Sequence, residues 1–156
     1  MDTSLQKNDS CYWQKTTILS PNKTKRRWFC LDLRGKIMGR AAVIVANILR
    51  GKNKNTFSYN LDNGDYVILL NARHIKFSGK NKLEQKQYFN HSGYIGGLRK
   101  RSARNMLENY PKELVFRIIK GMIPHNKLGR KQLKRLFIFS EEKHNLLAQQ
   151  KDFIFL

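Results

Sequence analysis

The feature that most constrains the fold is an uninterrupted apolar run, Tyr66–Leu70, flanked by Asp65 and Asn71. A strand with one solvated face alternates apolar and polar residues, whereas a strand covered on both faces is apolar throughout. The run has the length of a typical strand, and Asp62–Gly64 (Asp-Asn-Gly) just before it is typical of a turn. We therefore expect Tyr66–Leu70 to lie in a parallel sheet flanked by helices.

The segment before this run predicts a strand followed by a helix. Trp28–Asp32 is short, apolar and aromatic-rich, as strands are, and Gly35 follows it as a turn. From Gly39 the period becomes that of a helix, which ends where Gly51 suits a left-handed cap. The stripe that we expect to pack on the sheet is Ala41, Ile44, Val45, Ile48 and Leu49, and the residues expected to point outward are Arg40, Asn47 and Arg50.

After the central run, the chain predicts a third strand and then a glycine-rich loop. His74–Ser78 alternates apolar and polar residues, so we expect a less buried strand there. Residues 84–101 have no clear period, although Gln87–Asn90 is compatible with extended backbone. Gly93, Gly96 and Gly97 favour a looped segment with backbone angles that suit glycine.

Two helices are expected beyond this loop. Ser102 is placed to cap a helix that runs to Asn109, and Pro111 suits the first turn of the next helix. In that second helix Glu113 and Arg117 have the spacing of an ion pair. The stripe expected to face inward is Val115, Ile118, Ile119 and Met122.

The last elements complete the predicted architecture. Gly129–Arg135 indicates a short basic helix that leads into a strand at Leu136–Phe139. The order β-α-β-β-α-α-β favours an α/β fold, a single three-layer domain with a mostly parallel four-stranded sheet flanked by helices and basic loops. We interpret residues 1–26 as an N-terminal extension, 27–150 as the domain and 151–156 as a C-terminal tail.

The charge balance points to a polyanionic partner. Lys and Arg total 31 against 11 Asp and Glu, which gives a formal net charge of +20. Contact with phosphates relieves such self-repulsion and releases condensed counterions. The excess lies in segments 23–27, 34–64, 73–104 and 125–135, which alternate with the apolar runs. The binding surface is therefore expected on the folded domain rather than on a basic tail.

Motifs for other chemistry are weak or absent. The histidines are not spaced as metal ligands, and we interpret Cys11 and Cys30 as free thiols. No apolar run approaches the roughly 20 residues of a membrane span, and no carboxylate pair or serine motif indicates catalysis. We expect no metal, cofactor, membrane or small-molecule substrate. A nucleotide-dependent enzyme stays open through the Gly35–Arg40 turn, although this turn matches no complete phosphate-binding motif.

Basic residues interleaved with glycines have a direct use in RNA binding, since glycine lets the backbone approach a sugar-phosphate chain. One cluster contains Arg99, Lys100, Arg101 and Arg104, and a second contains Lys127, Arg130, Lys131, Lys134 and Arg135. Further candidates for RNA contact in the basic and glycine-rich segments are Arg26, Arg27, Arg50, Lys54, Gly93, Gly96 and Gly97.

Several motifs, taken in order, are similar to those of one family. Ile119–Pro124, Leu128–Arg130 and Leu136–Phe139 resemble the signature of the bacterial-type large-subunit ribosomal protein thirteen. The blocks that agree in order and spacing are Arg27–Asp32, Gly39–Ala41, Leu49–Lys52, Asp62–Ile68, Asn71–Ala72, Ser78–Lys80 and His91–Leu98. The resemblance covers residues 27 to about 150, with a departure at Ser140–Gln149, where the family usually has a His-Pro-His-like stretch.

The resemblance implies a compact α/β domain without enzymatic activity that binds 23S-type large-subunit rRNA, enters early in assembly, supports translation and meets neighbouring ribosomal proteins. By position, it implies RNA contacts at Arg40, Lys52, Lys80, His91, Gly96, Gly97, Lys120, Lys127 and Arg130. It also implies a turn at Gly121–Pro124, with Met122 packed inward. A regulator that binds one mRNA outside the ribosome remains an alternative.

The compartment is inferred from composition alone. Lys and Asn make up 33 of the 156 residues, a bias expected from an AT-rich coding genome. This favours ribosomes of the plastid (chloroplast) stroma, and a bacterial cytoplasm stays open as the alternative.

Overall fold

The computed structural model describes residues 24–146, 148–149 and 153–155. The strands are β1 (Trp28–Asp32), β2 (Tyr66–Leu70), β3 (Gln87–His91), β4 (Leu98–Ser102), β5 (Leu136–Ile138) and β6 (Phe153–Phe155). The helices are α1 (Met38–Arg50), α2 (Lys82–Gln85), α3 (Ala103–Asn109), α4 (Pro111–Met122) and α5 (Lys127–Leu133). Residues 1–23 of the expected N-terminal extension, with Cys11, lie outside the described residues.

Four strands form one parallel sheet in the order β5-β2-β1-β6. Cys30 of β1 lies opposite Ile68 of the continuously apolar strand β2. The α/β class and the parallel sheet flanked by helices are thereby confirmed. On the other side of β1, Trp28 lies opposite Phe153 of β6. The sequence did not predict this edge strand, because its residues were interpreted as part of a terminal tail.

The prediction of a strand at His74–Ser78 is wrong. Ala72–His74 forms a 3-10 turn, and the only pairing described for the rest of that segment is an isolated bridge between Lys76 and Ile37. The alternation has another cause, because Ile75 is buried and Phe77 packs against the core, while His74, Lys76 and Ser78 are exposed. Side-chain burial at every second residue thus imitates a strand without a hydrogen-bonded ladder.

The hydrophobic core lies between one face of the parallel sheet and the helices α1, α3 and α4. Val67 and Leu69 of β2 pack in one cluster with Leu49 of α1 and with Leu114 and Ile119 of α4, and all five are completely buried. Burial of each such side chain contributes about 1.5–3 kcal/mol. This cluster fixes the helices on the sheet and leaves their outer faces for other contacts.

The inward faces of two helices differ from the prediction. Ala42 and Ala46 of α1 are buried, whereas Ile44 is 48% exposed, so the expectation for Ile44 is wrong. The small side chains permit close packing against α4, and the helix therefore turns their face inward. Met122, expected to pack inward, is 36% exposed because it is the last residue of α4. Gly51 caps α1 in the left-handed conformation, as predicted.

The opposite face of the sheet carries stacked aromatic rings and the described thiol. Trp28 stacks on Tyr66 with ring centroids 4.3 Å apart. Cys30 is a buried free cysteine, which confirms that part of the prediction. Burial, aided by the charge of Asp32, raises the pKa of the Cys30 thiol. A buried thiol with a raised pKa is a poor nucleophile, so Cys30 acts as a small packing residue.

Strands β3 and β4 form a separate antiparallel hairpin, which we call the arm (residues 87–102). Its two strands join through a loop at 92–97, so the extended backbone at Gln87–Asn90 and the glycine loop are confirmed. The second strand was not predicted. The Ser102 hydroxyl oxygen accepts the Asn105 N–H at 3.3 Å and caps α3, and Pro111 opens α4, both as expected.

Candidate nucleic-acid interface

Cations at and just after α5 form an exposed surface, which we call the α5 patch. Its residues are Lys127, Arg130, Lys131 and Lys134. On the other side of the helix, Gly129 and Gln132 are buried. Among the described residues, no acid lies within ion-pair distance of any of the four cations. The patch therefore presents uncompensated positive charge to solvent.

Local packing fixes the orientation of α5. The Asn126 side-chain oxygen accepts the Gly129 N–H at 2.7 Å, which caps the helix. A β-carbon on Gly129 would lie 1.9 Å from the Pro124 carbonyl oxygen, so only glycine permits this approach. The Pro124 and Gly129 positions of the sequence motif therefore shape the backbone, and the cations of the patch are turned outward as a consequence.

The end of α1 lies beside the α5 patch. Arg50, half-buried at the last residue of α1, lines a surface depression with Asn126 and Leu128. Lys52 is exposed in the turn that follows. The structure thus brings Arg50, from one predicted basic segment, next to residues of another that is distant in sequence.

The inner side of the arm attaches it to the helices. Arg117 of α4 donates hydrogen bonds to Asn90 of β3 and, at 3.0 Å through Nε, to Glu113, which confirms the predicted Glu113–Arg117 pair. Arg101 of β4 lies 3.8 Å from the same Glu113 carboxylate. Burial raises the pKa of the Tyr88 hydroxyl, which has no hydrogen-bond partner among the described residues. Because Arg101 lies near Glu113, its charge is partly balanced within the protein.

The outer face of the arm combines apolar and basic side chains. Phe89 lies opposite Lys100, and His91 lies opposite Leu98. Phe89 and Leu98 are each 53% exposed, and the Lys100 Nζ lies 5.9 Å from the centroid of the Phe89 ring. Arg99 is also exposed, but it lies opposite Asn90, whose side chain contacts Arg117 on the inner side of the arm. The face has the composition of a surface that contacts both bases and phosphates.

The tip of the arm depends on glycine. Gly93 and Gly96 have φ angles of 92° and 74°, in the left-handed region that other residues rarely adopt. The Gly97 N–H donates to the Tyr94 carbonyl at 3.0 Å, and His91 Nδ1 accepts the Gly93 N–H at 2.9 Å. The predicted role of these glycines as an open approach for RNA stays untested, but they clearly define the shape of the loop.

Sequence reasoning missed the side chains that this loop exposes. Tyr94 is 80% exposed and Ile95 is completely exposed. The available signal was an aromatic residue inside a glycine-rich, basic segment, which is a common arrangement for stacking on bases. The distribution of charged residues along the sequence does not identify Tyr94 and Ile95, because neither carries a charge.

Lys54 has a structural role that the distribution of charge along the sequence does not indicate. Its Nζ lies 2.6 Å from Asp65 Oδ1, and it donates to the carbonyl oxygens of Lys25 and Asn63 at 2.9 and 3.1 Å. An ammonium has three donors, and all three are used. We therefore remove Lys54 from the RNA-contacting candidates.

Arg135 is also committed to the interior. It is 5% exposed and donates hydrogen bonds to the Gly64 carbonyl and to the Asp62 carboxylate. The expectation that Arg135 belongs to the exposed cluster is wrong. Arg26, on the surface, lies 3.7 Å from the same Asp62 carboxylate, so its charge is partly balanced.

The other predicted cations are exposed and lie on other elements than α5 and the arm strands. They are Arg27, Arg40, Lys80 and Lys120. Arg27 precedes β1 and Arg40 lies in the first turn of α1. Lys80 precedes α2, and Lys120 lies in the last turn of α4.

Two backbone amides of the Gly35–Arg40 turn are already hydrogen-bonded within the protein. The Gly35 N–H donates to the His74 carbonyl, and the Met38 N–H donates to the Lys76 carbonyl, both at 2.9 Å. A phosphate-binding turn points such amides at its ligand instead. These two amides are therefore not directed at a ligand, and the nucleotide-dependent enzyme stays an untested alternative.

The described ranges contain neither a group of metal ligands nor a membrane-spanning helix. No group of three or more His, Cys, Asp and Glu residues there could hold a metal ion. Likewise, none of the helices in that part of the chain has the length and apolar character needed to cross a membrane.

Comparison with known proteins decides the family. The model of the family described as "Ribosomal protein L13" matches residues 26–145. The chain belongs to the ribosomal protein L13 family. The match includes the first strand, the arm and the α5 patch, so both candidate surfaces lie within the part of the chain that defines the L13 family.

Three similar relatives come from bacteria. The chain is 45% identical over 139 residues to the "Large ribosomal subunit protein uL13" of Thermotoga petrophila, which covers 89% of this chain and 93% of the relative. It is 43% identical over 135 residues to the protein of the same name from Syntrophotalea carbinolica, covering 86% and 94%. The corresponding protein of Moorella thermoacetica is 44% identical over 135 residues, covering 86% and 93%. The predicted resemblance is therefore confirmed.

Proposed function

We propose that this L13-family chain is a structural protein of the large ribosomal subunit that binds large-subunit rRNA and has no enzymatic activity. The observation that carries the proposal is the α5 patch, where Lys127, Arg130, Lys131 and Lys134 are exposed at and just after α5 with no described acid partner. Such cations bind phosphates and release counterions. The names of the bacterial relatives support the large subunit as the location.

The contrast between paired and unpaired cations supports an RNA partner. Lys54 neutralises the buried Asp65, Arg135 neutralises the partly buried Asp62, and both stabilise the domain. The cations of the α5 patch and the outer face of the arm have no acid partner among the described residues, so their charges repel one another. A chain that keeps this repulsion in its folded state is stabilised when a polyanion binds.

The arrangement also suits a role in assembly. The α5 patch and the arm belong to different elements, and both attach to the same packed core. A rigid domain with two basic surfaces can hold two segments of RNA in a fixed relation, and it pays little ordering entropy when it binds. We propose that this property supports subunit assembly and thereby translation.

Binding competition tests the proposal. The full chain is mixed with labelled large-subunit 23S-type rRNA at moderate salt, and the unlabelled competitors are large-subunit rRNA, small-subunit rRNA and an mRNA. We expect large-subunit rRNA to compete best and the protein to sediment with large subunits. Preferential binding of one mRNA would instead support the extra-ribosomal regulator, and tight binding of ATP or GTP without RNA would support an enzyme.

Two finer parts of the proposal have their own tests. We propose contacts with neighbouring large-subunit proteins, which crosslinking in intact subunits would identify. The compartment is tested by locating the gene, because a plastid-encoded chain has its gene in the plastid genome. The relatives named above are bacterial and fit the bacterial alternative.

A further inference from the structure

We infer that the outer face and tip of the arm bind unpaired nucleotides by base stacking, with Tyr94 as the main stacking residue. The inference rests on the proposed rRNA-binding function and names the part of the RNA that the arm recognises. The α5 patch, by contrast, has the composition of a surface that contacts phosphates without reading bases.

The first argument is the exposure of apolar side chains. Tyr94 is 80% exposed, Ile95 is completely exposed, and Phe89 and Leu98 are each 53% exposed. These residues lie on one short hairpin that forms its own two-stranded sheet. Apolar side chains grouped in this way mark an interaction surface, whereas single exposed residues need no explanation.

The second argument is preorganisation of the tip. Its two left-handed glycines, Gly93 and Gly96, and the Gly97–Tyr94 hydrogen bond define the loop backbone. A β-carbon on Gly97 would lie 2.0 Å from the Ser92 hydroxyl oxygen, so the loop closes tightly on itself. The Tyr94 ring is thus presented on a defined loop, and little backbone entropy is lost when a base stacks on it.

The third argument is charge, which selects RNA over protein as the occupant. Residues 86–102 contain no acidic residue and four cations, Lys86, Arg99, Lys100 and Arg101, of which Arg101 alone lies within ion-pair distance of a described acid. The centres of protein interfaces are depleted of charge, whereas single-stranded nucleic acids bind where aromatic rings and cations alternate. The pairing of Phe89 with Lys100 reproduces that alternation on the outer face.

The occupant is unpaired RNA because a base in a duplex has no free face for an aromatic ring. Sequence-specific and structure-specific RNA recognition accordingly targets loops, bulges and ends, where bases stack on aromatic side chains. The ring of Tyr94 and the ring of Phe89 offer two such surfaces at the tip and on the strand, respectively.

The test uses the full chain and RNA that contains the fluorescent base 2-aminopurine. One probe is a single strand of about eight nucleotides, within the site sizes of single-strand binders, and the other is the corresponding duplex. We expect the protein to quench the single strand more than the duplex. Tyr94→Ala should lose this quenching and weaken single-strand binding about fivefold or more, without changing the salt dependence.

Tyr94→Phe is the matched control, because it keeps the ring and removes the hydroxyl. It should retain quenching and affinity. Equal losses in the Phe and Ala variants would mean that the hydroxyl acts through a hydrogen bond, and the stacking inference would be overturned. Unchanged single-strand binding by Tyr94→Ala would also overturn the stacking inference. If that variant in addition entered large subunits poorly, the tip of the arm would contact a protein instead.

The two proposals fail in different ways. If the wild-type chain does not bind large-subunit rRNA, the proposed function fails. If the wild-type chain binds that rRNA and Tyr94→Ala binds it equally well, with unchanged quenching of the short single strand, only the stacking inference fails. Circular dichroism of each variant excludes unfolding as the cause of a loss.

Discussion

The parallel sheet and the arm use apolar residues in opposite ways. In β2, Val67, Ile68 and Leu69 are completely buried. In the arm, Tyr94 and Ile95 are exposed to solvent. The same class of side chain therefore stabilises the fold in one region and, by our proposal, contacts RNA in the other. The comparison separates residues that fold the chain from residues that bind its partner.

Cations follow the same division. Lys54 and Arg135 are held by acids and carbonyl groups inside the domain. Lys100 and Lys127 lie on the arm and the α5 patch without an acid partner in the described part of the chain. Residue type alone does not distinguish the two roles, whereas burial and partners do.

The largest effect on stability is expected when an aspartate is introduced into the parallel sheet, and the same change in the arm is its control. Leu69→Asp should unfold the domain, because an unpaired carboxylate replaces a completely buried side chain. Ile95→Asp is the matched control and should leave the free energy of unfolding within about 0.5 kcal/mol of wild type. Urea unfolding followed by circular dichroism measures both. Equal destabilisation would show that the arm tip is part of the core.

A smaller effect is expected from removing a partly buried cation that is paired with a buried acid. Lys54→Met leaves the Asp65 carboxylate without its ammonium partner at 2.6 Å. The free energy of unfolding should fall by about 2–4 kcal/mol. Lys52→Met, two residues away and exposed, should change it by less than about 0.5 kcal/mol. If the two variants unfold at the same urea concentration, the assignment of Lys54 to the interior is wrong.

Neutralising the α5 patch should change binding and leave folding intact. In the triple variant Lys127→Gln, Arg130→Gln and Lys131→Gln, the slope of log affinity against log salt should flatten by about 0.7–0.9 per lost phosphate contact. Filter binding to 23S-type rRNA over a range of salt concentrations measures the slope. An unchanged slope would mean that the patch does not contact phosphate.

Removing the helix cap at the end of the arm should lower the free energy of unfolding by about 1 kcal/mol. Ser102 ends the arm and caps α3 through the Asn105 N–H, and Ser102→Ala removes this cap. Thermal or urea unfolding measures the loss. Ser102→Asn, which can still cap, should restore most of the stability, and a failure to do so would point to another role for the hydroxyl.

The smallest effect is a pH dependence at the end of β1. Burial alone would raise the pKa of Asp32, but hydrogen bonds from the Arg34 N–H and the Asn71 side chain and nearby cations hold it below its usual value. The stabilisation is therefore complete above the unfolded pKa of about 3.9 and is lost as pH falls through the folded pKa. Asp32→Asn should be less stable than wild type at pH 6, and the difference should shrink in acid. A constant difference would contradict this account.

The sequence predicted the regions where one physical signal dominates. Tyr66–Leu70 was identified because continuous apolar character has one common cause in an α/β domain. Gly51, Ser102 and Pro111 were identified because caps depend on local geometry. Motif order predicted the family, and the comparisons confirmed it.

The failures arose where long-range packing decides the outcome. The alternation at His74–Ser78 came from contact with the core, and β6 pairs with a strand more than 100 residues earlier in the chain. Lys54 and Arg135 were counted as binding cations because Asp65 and Asp62 reach them only in the folded chain. The RNA contacts of the remaining candidates stay predictions.

Lysine reactivity, measured by mass spectrometry in the free protein and in purified large subunits, tests the central claim most directly. We predict that Lys100, Lys127 and Lys131 react in the free protein and become protected in the subunit, and that removing the rRNA restores their reactivity. Lys54 is the internal reference and should react poorly in both states, because its Nζ is fully hydrogen-bonded. Unchanged reactivity of Lys100 and Lys127 in the subunit would contradict the account.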